Sequence, residues 1–349
     1  MKRSFHFNGS RIVKTGLAIF ITATICVWMG WPPVFAVITA IVTIEPTISD
    51  SIKKGLVRFP ASAIGSAFAV IFITLFGNSP ITYTFAAVAT ILVCYRLNLH
   101  AGLLVATLTS VAMVEVIHDN FLISFFIRLG TTSIGLLVSI AVNMLVFPPN
   151  YRTDILKSIQ SISERAGNML EQTFRTILFE GGANRQEEQL IVKRLVTEIR
   201  KTEKLINFQR DESSLSPWVR DREAELLMAE KQLLFLHNLE FHLDALLRIP
   251  LHEIQWTTAE RKIIMHAVTE LANNLQHSIE YDQEKHQHQL KTITDLFWDD
   301  SKRVEASDAM HPTLFPPEFK ILYELITIYD LVDKFFDPSS VKIAQEVEQ

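Results

Sequence analysis

RLGTTSIGLLVSIAVNMLVFPP, residues 128–149, decides how the first half of this chain is read. It has the length and greasiness of a membrane helix, yet it opens on an arginine. Thr131, Gly135, Ser139 and Asn143 then follow at intervals of four. Residues so spaced share one helix face, so a column of small or polar groups runs down an otherwise apolar cylinder. Pro148–Pro149 closes the stretch, because proline cannot continue a helix and restricts the residue before it.

Charge divides the 349 residues in two. Residues 1–150 hold nine Lys/Arg and four Asp/Glu, a net of +5, and residues 151–349 hold 24 and 34, a net of −10. A membrane domain over residues 1–150 followed by a soluble domain over residues 151–349 accounts for the split.

Six spans are read in the first half: Ile12–Gly30, Pro33–Ile48, Leu56–Phe76, Pro80–Tyr95, Leu99–Ile117 and Leu129–Phe147. A crossing takes about 20 residues, so the second and fourth are slightly short. The first is too long for a signal peptide, and Trp28–Pro32 offers no small-residue cleavage site. Lys2, Arg3, Arg11 and Lys14 precede span one, Lys53, Lys54 and Arg58 join spans two and three, and Arg96 joins four and five. Arg152 and Lys157 follow span six, whereas Trp31–Pro32, Gly77–Ser79 and His118–Asn120 carry no basic lysine or arginine. This bias predicts a multi-pass protein of the cell membrane with both termini cytoplasmic. Only Arg128, on the external side, violates it.

The second half reads as long amphipathic helices: Tyr151–Glu180 stopped by Gly181–Gly182, Arg185–Glu212, and one from Ser216–Pro217 to Arg248. Thr258 caps another to about Trp298, and Pro316–Pro317 starts the last, through Phe336. The expected fold class is therefore all-α, a six-helix transmembrane domain followed by a soluble cytoplasmic helical bundle.

Several chemistries lack their residues. Seven of eleven histidines fall between His237 and His288, but His286 and His288 point to different helix faces, and His237 and His242 are five apart. With no HExxH and no Cys/His cluster, no metal is expected. Cys26 and Cys94 lie toward opposite membrane faces and read as small apolar packing residues. There is no phosphate loop, dinucleotide fingerprint or nucleophile elbow, so the chain is read as no enzyme, without cofactor and without ATP hydrolysis. The acidic second half disfavours nucleic acid.

Displacing the first half by 70 residues superposes unusual positions. Ala36 falls on Ala106, Thr39 on Thr109, Glu45 on Glu115, Arg58 on Arg128, and Ile64–Gly65 on Ile134–Gly135. Seventy residues span three crossings, an odd number, so a repeat would be inverted, as in many transporters. Arg128 is then the mirror image of Arg58. An arginine at the bilayer centre costs roughly 2.5–3.5 kcal/mol on insertion scales, so one near it needs a reason. Either it pairs with Glu115 as a staple, or it draws anions into the outer mouth. The column of small residues is read first as helix packing, with Asn143, polar and deep, as its exception.

These residues resemble the bacterial aromatic acid exporter family, in the form that carries a soluble C-terminal helical domain, and more distantly the fusaric acid resistance proteins. The resemblance rests on Pro46, Gly55, Arg58 and Gly65, and on Arg128, Thr131, Gly135, Asn143 and Phe147–Tyr151. Pro60–Ala61 departs from the Gly-Thr that usually follows the arginine. The resemblance implies export of aromatic carboxylic acids. Arg58, Arg128 and Asn143 are then the candidate substrate-binding residues, and Glu45 and Glu115 the candidate ion-pair or gate residues. The expected partners are a small organic anion, the lipid bilayer and further copies of the chain, since six spans are few for a complete path. A membrane-anchored signalling or scaffold protein and an anion channel are the alternatives.

Overall fold

The computed structural model describes residues 4–116, 121–146, 149–181, 185–213, 223–250, 254–277, 281–305 and 316–336. Every regular element among them is helical. The chain divides into two compact units, Met1–Asn150 with Asp211–Pro217, and Tyr151–Arg210 with Trp218–Gln349.

The first unit contains α1 (Ser4–Trp28), α2 (Val34–Thr43), α3 (Ile48–Phe76), α4 (Pro80–Arg96), α5 (Leu103–Val116) and α6 (Phe121–Leu145). A single 3₁₀ turn, His100–Gly102, leads into α5. Three of these helices, α1, α3 and α6, are long and apolar enough to cross a membrane, and the other three are shorter apolar helices. Local chemistry sets their ends. Thr47 caps α3 by accepting the Asp50 N–H at 3.0 Å, so α3 begins eight residues before the apolar run that predicts it. Ser79 caps α4, with Pro80 at its first position. Helix α6 starts seven residues before Arg128, so the arginine lies about two turns inside the helix rather than at its mouth.

This unit is polar inside and apolar outside. Its buried set is rich in Thr, Ser and Ala with Arg58, Arg128 and Asn143, while Ile12, Phe20, Leu56, Leu104, Phe126 and Leu137 are exposed. Such an inversion suits a solvent that is itself hydrocarbon. Helix α6 packs on α1 and α2, α3 packs on α4 and α5, and α3 and α6 meet each other. That pattern maps onto itself when every helix is exchanged for its counterpart 70 residues away.

The second unit contains α7 (Arg152–Phe179), α8 (Arg185–Ser213), α9 (Glu223–Arg248), α10 (Thr258–Gln276), α11 (Gln283–Glu305) and α12 (Pro317–Phe336). Ile155, Ile159, Ile162, Ala166, Leu170, Phe174 and Ile177 form one buried stripe on α7 at helical spacing. They join one core with Leu236, Leu243, Ile264, Leu271, Leu325 and Ile328. Gly167 lets α7 approach α10, since a Cβ there would lie 2.7 Å from the Ala272 carbonyl oxygen.

Two expectations for this half are corrected. The helix expected from Thr258 to Trp298 is two helices, because Asp282 Oδ1 accepts the N–H groups of Glu284 and Lys285 and starts α11 anew. The cap of α10 is Thr257, whose capping box with Glu260 satisfies backbone donors in both directions. The expected starts and stops at Ser216–Pro217, Gly182 and Phe147–Pro148, and the connection His118–Asn120, lie outside the described residues.

Candidate functional site

Polar side chains inside the first unit collect in two places. One lies where the α2–α3 connection meets α1, α6 and the start of α3. Arg58 Nη2 donates to Glu45 Oε1 at 2.7 Å, and Lys54 Nζ reaches Glu45 Oε2 at 3.1 Å and Asp50 Oδ2 at 3.2 Å. Arg58 Nε also donates to the Ala101 carbonyl. A carboxylate held by two cations leaves Arg58 neutralised.

Asn143 stands beside this cluster with its amide fully engaged. Its Nδ2 donates to Ser51 Oγ at 2.9 Å and to the carbonyls of Glu45 and Thr47 at 3.2 and 3.3 Å, tying α6 to the α2–α3 connection. Its Oδ1 accepts from Lys14 Nζ at 2.9 Å. Lys14 is only 5% exposed, so it is an interior group of α1 and not the flanking positive charge its position in the sequence suggests.

The second place is Arg128, 2% exposed among α2, α3, α5 and α6. Its Nη1 donates to Thr132 Oγ1 at 3.0 Å and its Nη2 donates to Thr109 Oγ1. The guanidinium carbon stands 4.2 Å from the centroid of the Phe35 ring, a cation–π arrangement. Ser62 Oγ lies 3.5 Å from Thr109 Oγ1 and 3.4 Å from Thr132 Oγ1. Arg128 Nε has no hydrogen-bond partner among the described residues, and no carboxylate there lies within ion-pair distance of the guanidinium. Hydroxyls and a ring solvate a cation without cancelling its charge, and an uncancelled buried charge is costly.

The structure therefore brings Glu45 and Arg58 together and does not bring Glu115 to Arg128. Glu115 accepts instead from Tyr83 Oη at 2.7 Å, facing α4, while Arg128 turns inward. The staple considered for Arg128 is absent from the described contacts for that reason.

Backbone contacts repeat across the 70-residue displacement. A Cβ on Gly65 would lie 2.3 Å from the Ala106 carbonyl oxygen, and one on Gly135 would lie 2.4 Å from that of Ala36. The two glycines are 70 residues apart, and so are the two alanines. Ser62 and Thr132, also 70 apart, meet each other. Gly65 and Gly135 thus act as close-approach positions for helix backbones. Ala61, at the departure from the usual Gly-Thr, is fully buried and packs where Gly102 has no side chain.

Sequence comparison places the chain in a family. The family described as aromatic acid exporter family member 1 matches residues 6–146. A UPF0421 protein of Oceanobacillus iheyensis is 43% identical over 331 residues, covering 95% of each chain. The chain belongs to the aromatic acid exporter family. A UPF0421 protein of Bacillus cereus is 35% identical over 95% of this chain and 94% of its own. One of Staphylococcus haemolyticus is 36% identical over 94% and 97%. The chain is thus a membrane protein of a transporter family, and Arg128, Glu45, Arg58, Asn143 and Lys14 all lie within the matched segment.

Phe35, Ser62, Thr132, Tyr83 and Lys14 take part in these clusters without having been singled out as site residues from sequence. Thr109 carried a signal, as a coincidence of the repeat. Phe35 carried none, since an aromatic in an apolar run is ordinary.

Proposed function

We propose that this protein exports aromatic carboxylates or similar organic anions across the cell membrane, without ATP hydrolysis. In this reading six helices cross the bilayer with both termini cytoplasmic, and residues 151–349 form a cytoplasmic bundle. The halves α1–α3 and α4–α6 are inverted copies. The matched contacts at Gly65 and Gly135 and the self-mapping helix pattern support that relation. The path is completed by assembly with further copies of the chain.

One observation carries the proposal: Arg128 is a buried cation whose partners among the described residues are hydroxyls and a ring. A carboxylate entering there gains a charge-assisted hydrogen bond in a low-dielectric interior and relieves an uncompensated charge. Thr109 and Thr132 hold the guanidinium in place, with Ser62 beside both hydroxyls, and Phe35 offers an aromatic face beside it. Glu45 and Arg58 serve as a closed ion pair, with Asn143 and Lys14 bracing it against α6. An ion gradient or the substrate's own gradient supplies the energy.

The test is efflux of benzoate, phenylacetate and cinnamate from proteoliposomes containing the full chain. A charge-assisted hydrogen bond contributes about 1.5–3 kcal/mol, so Arg128→Gln should weaken apparent affinity by roughly tenfold to a hundredfold. Arg128→Lys should recover part of it, because charge survives although the planar fork is lost. Unaltered efflux by Arg128→Gln would overturn the reading.

A further inference from the structure

Helix α3 begins at Ile48, and a carboxylate from far along the chain sits on its first N–H group. Glu212, in the last turn of α8, accepts from the Ile48 N–H. It lies in the segment Asp211–Pro217, which belongs to the first unit. The side chain is buried, with Glu212 only 6% exposed.

Lys14 lies next to that seat. Asn143 joins the two, because its Nδ2 donates to the Thr47 carbonyl at 3.3 Å while its Oδ1 accepts from Lys14 Nζ at 2.9 Å. The ammonium is also 3.5 Å from the Asn143 carbonyl oxygen. Its hydrogen-bond partners among the described residues are therefore neutral, and the charge that attracts it is that of Glu212. Asp211 and Asp50 oppose a second negative charge here, but Lys53 stands 3.6 Å from Asp211 and Lys54 stands 3.2 Å from Asp50.

Capping alone does not explain a charge in this place. Thr47 already caps α3, and the remaining Ile48 N–H needs only a neutral oxygen. A carboxylate taken out of water gives up its hydration. Burial pushes the Glu212 carboxyl above the ordinary range, against the pull of the Ile48 N–H and the Lys14 ammonium. A group held at that cost is held loosely. Helix dipole, N–H and buried ammonium together make a seat for a carboxylate, and the structure shows a carboxylate in it.

We propose that this seat is a second carboxylate-binding site, and that Glu212 is its tethered occupant, which an incoming aromatic carboxylate displaces. A tethered group competes at an effective concentration on the order of millimolar, so a free carboxylate binds poorly until Glu212 leaves. Under the proposed topology the seat faces the cytoplasm, where an exported anion enters. That direction rests on the proposed function, whereas binding at the seat does not depend on Arg128.

The test titrates the full-length protein in detergent with benzoate by calorimetry, with benzamide as the uncharged counterpart. Glu212→Gln keeps an acceptor for the Ile48 N–H and removes the charge, so it should bind benzoate about tenfold or more tighter than the parent does. Benzamide should show no such gain. Adding Lys14→Gln, which keeps a donor for Asn143 Oδ1, should abolish the benzoate gain. The gain should persist when Arg128→Gln is added, so failure of the anion path and failure of this seat are distinguishable. Glu212→Ala is the second variant and should show the same gain if the glutamine protein does not fold. The proposal is overturned if the folded Glu212 variants bind benzoate no tighter than the parent. It is equally overturned if the gain survives Lys14→Gln or if benzamide gains as much. Loss of the fold in both Glu212 variants would make this side chain a structural clamp and overturn the proposal too.

Discussion

Replacing Gly135 by alanine tests the contact on which the α2–α6 packing depends. The new Cβ would lie 2.4 Å from the Ala36 carbonyl oxygen and 2.9 Å from Thr39 Cβ. The first obstacle is backbone and cannot rotate away, so α6 must withdraw by about an ångström from α2. Overpacking of this kind costs about 1–3 kcal/mol, and the upper part of that range applies where backbone opposes backbone. Alanine returns about 1 kcal/mol of helix propensity, leaving a net loss of about 1–2 kcal/mol. At about 2–4 °C per kcal/mol, the melting temperature should fall by roughly 2–8 °C. Gly65→Ala should behave alike, because its Cβ would lie 2.3 Å from the Ala106 carbonyl oxygen. Gly16→Ala is the control, with nothing within 4 Å, and should lose nothing. Intrinsic-fluorescence melting of all three in one detergent makes the comparison. A Gly135→Ala protein that melts at or above the parent would refute the close approach.

Three further outcomes follow from particular contacts. Because Glu115 bonds Tyr83 rather than Arg128, Glu115→Gln should fail to restore the stability of Arg128→Gln, and a thermal-melt double-mutant cycle should show coupling near zero. Thr257→Ala removes the capping box of α10 and should cost about 1 kcal/mol, with Glu260→Gln milder since glutamine can complete the same box. His286 has its folded pKa lowered by burial from an ordinary value of 6.5, so the unfolded chain binds more protons and this contribution to stability is lost as pH falls through that value. Denaturant titrations from pH 7.5 down to 5 should show a steeper loss in the parent than in His286→Gln.

The helical class, and most helices within a few residues, were legible because apolar period and caps act locally. The α3 and α6 boundaries were not, and for one reason. A sequence reading ends a membrane span where charge begins, but α3, capped by Thr47, starts eight residues before Leu56, and Arg128 sits inside α6 rather than at its edge. The break at His277–Asp282 was missed because a capping aspartate amid charged residues looks like any other surface carboxylate. At the candidate site Glu45 was expected as an ion-pair or gate residue, and the structure pairs it with Arg58. Glu115 was expected likewise, with a staple to Arg128 as one of two readings of that arginine, and the staple does not occur among the described contacts. Spacing places two residues on neighbouring elements, but which way each side chain turns depends on what competes for it.

That competition can be traced to residues. Under the 70-residue displacement, Lys54 falls on Ser124 and Tyr83 on Val13. In α1–α3 Lys54 adds a second cation to Glu45, which fixes the carboxylate toward Arg58. In α4–α6 no lysine stands in the corresponding place, and Tyr83 offers Glu115 a phenol on α4 with no counterpart in α1. Two unmatched positions thus convert one charge pattern into a neutralised pair and an uncancelled cation. An uncancelled arginine in the interior is expensive, and among the described residues only hydroxyls and the Phe35 ring stand against it. In the proposed function an anion would offset that charge only while bound, and a transport site needs such an arrangement: attraction enough to admit the ligand, without a resident carboxylate to exclude it.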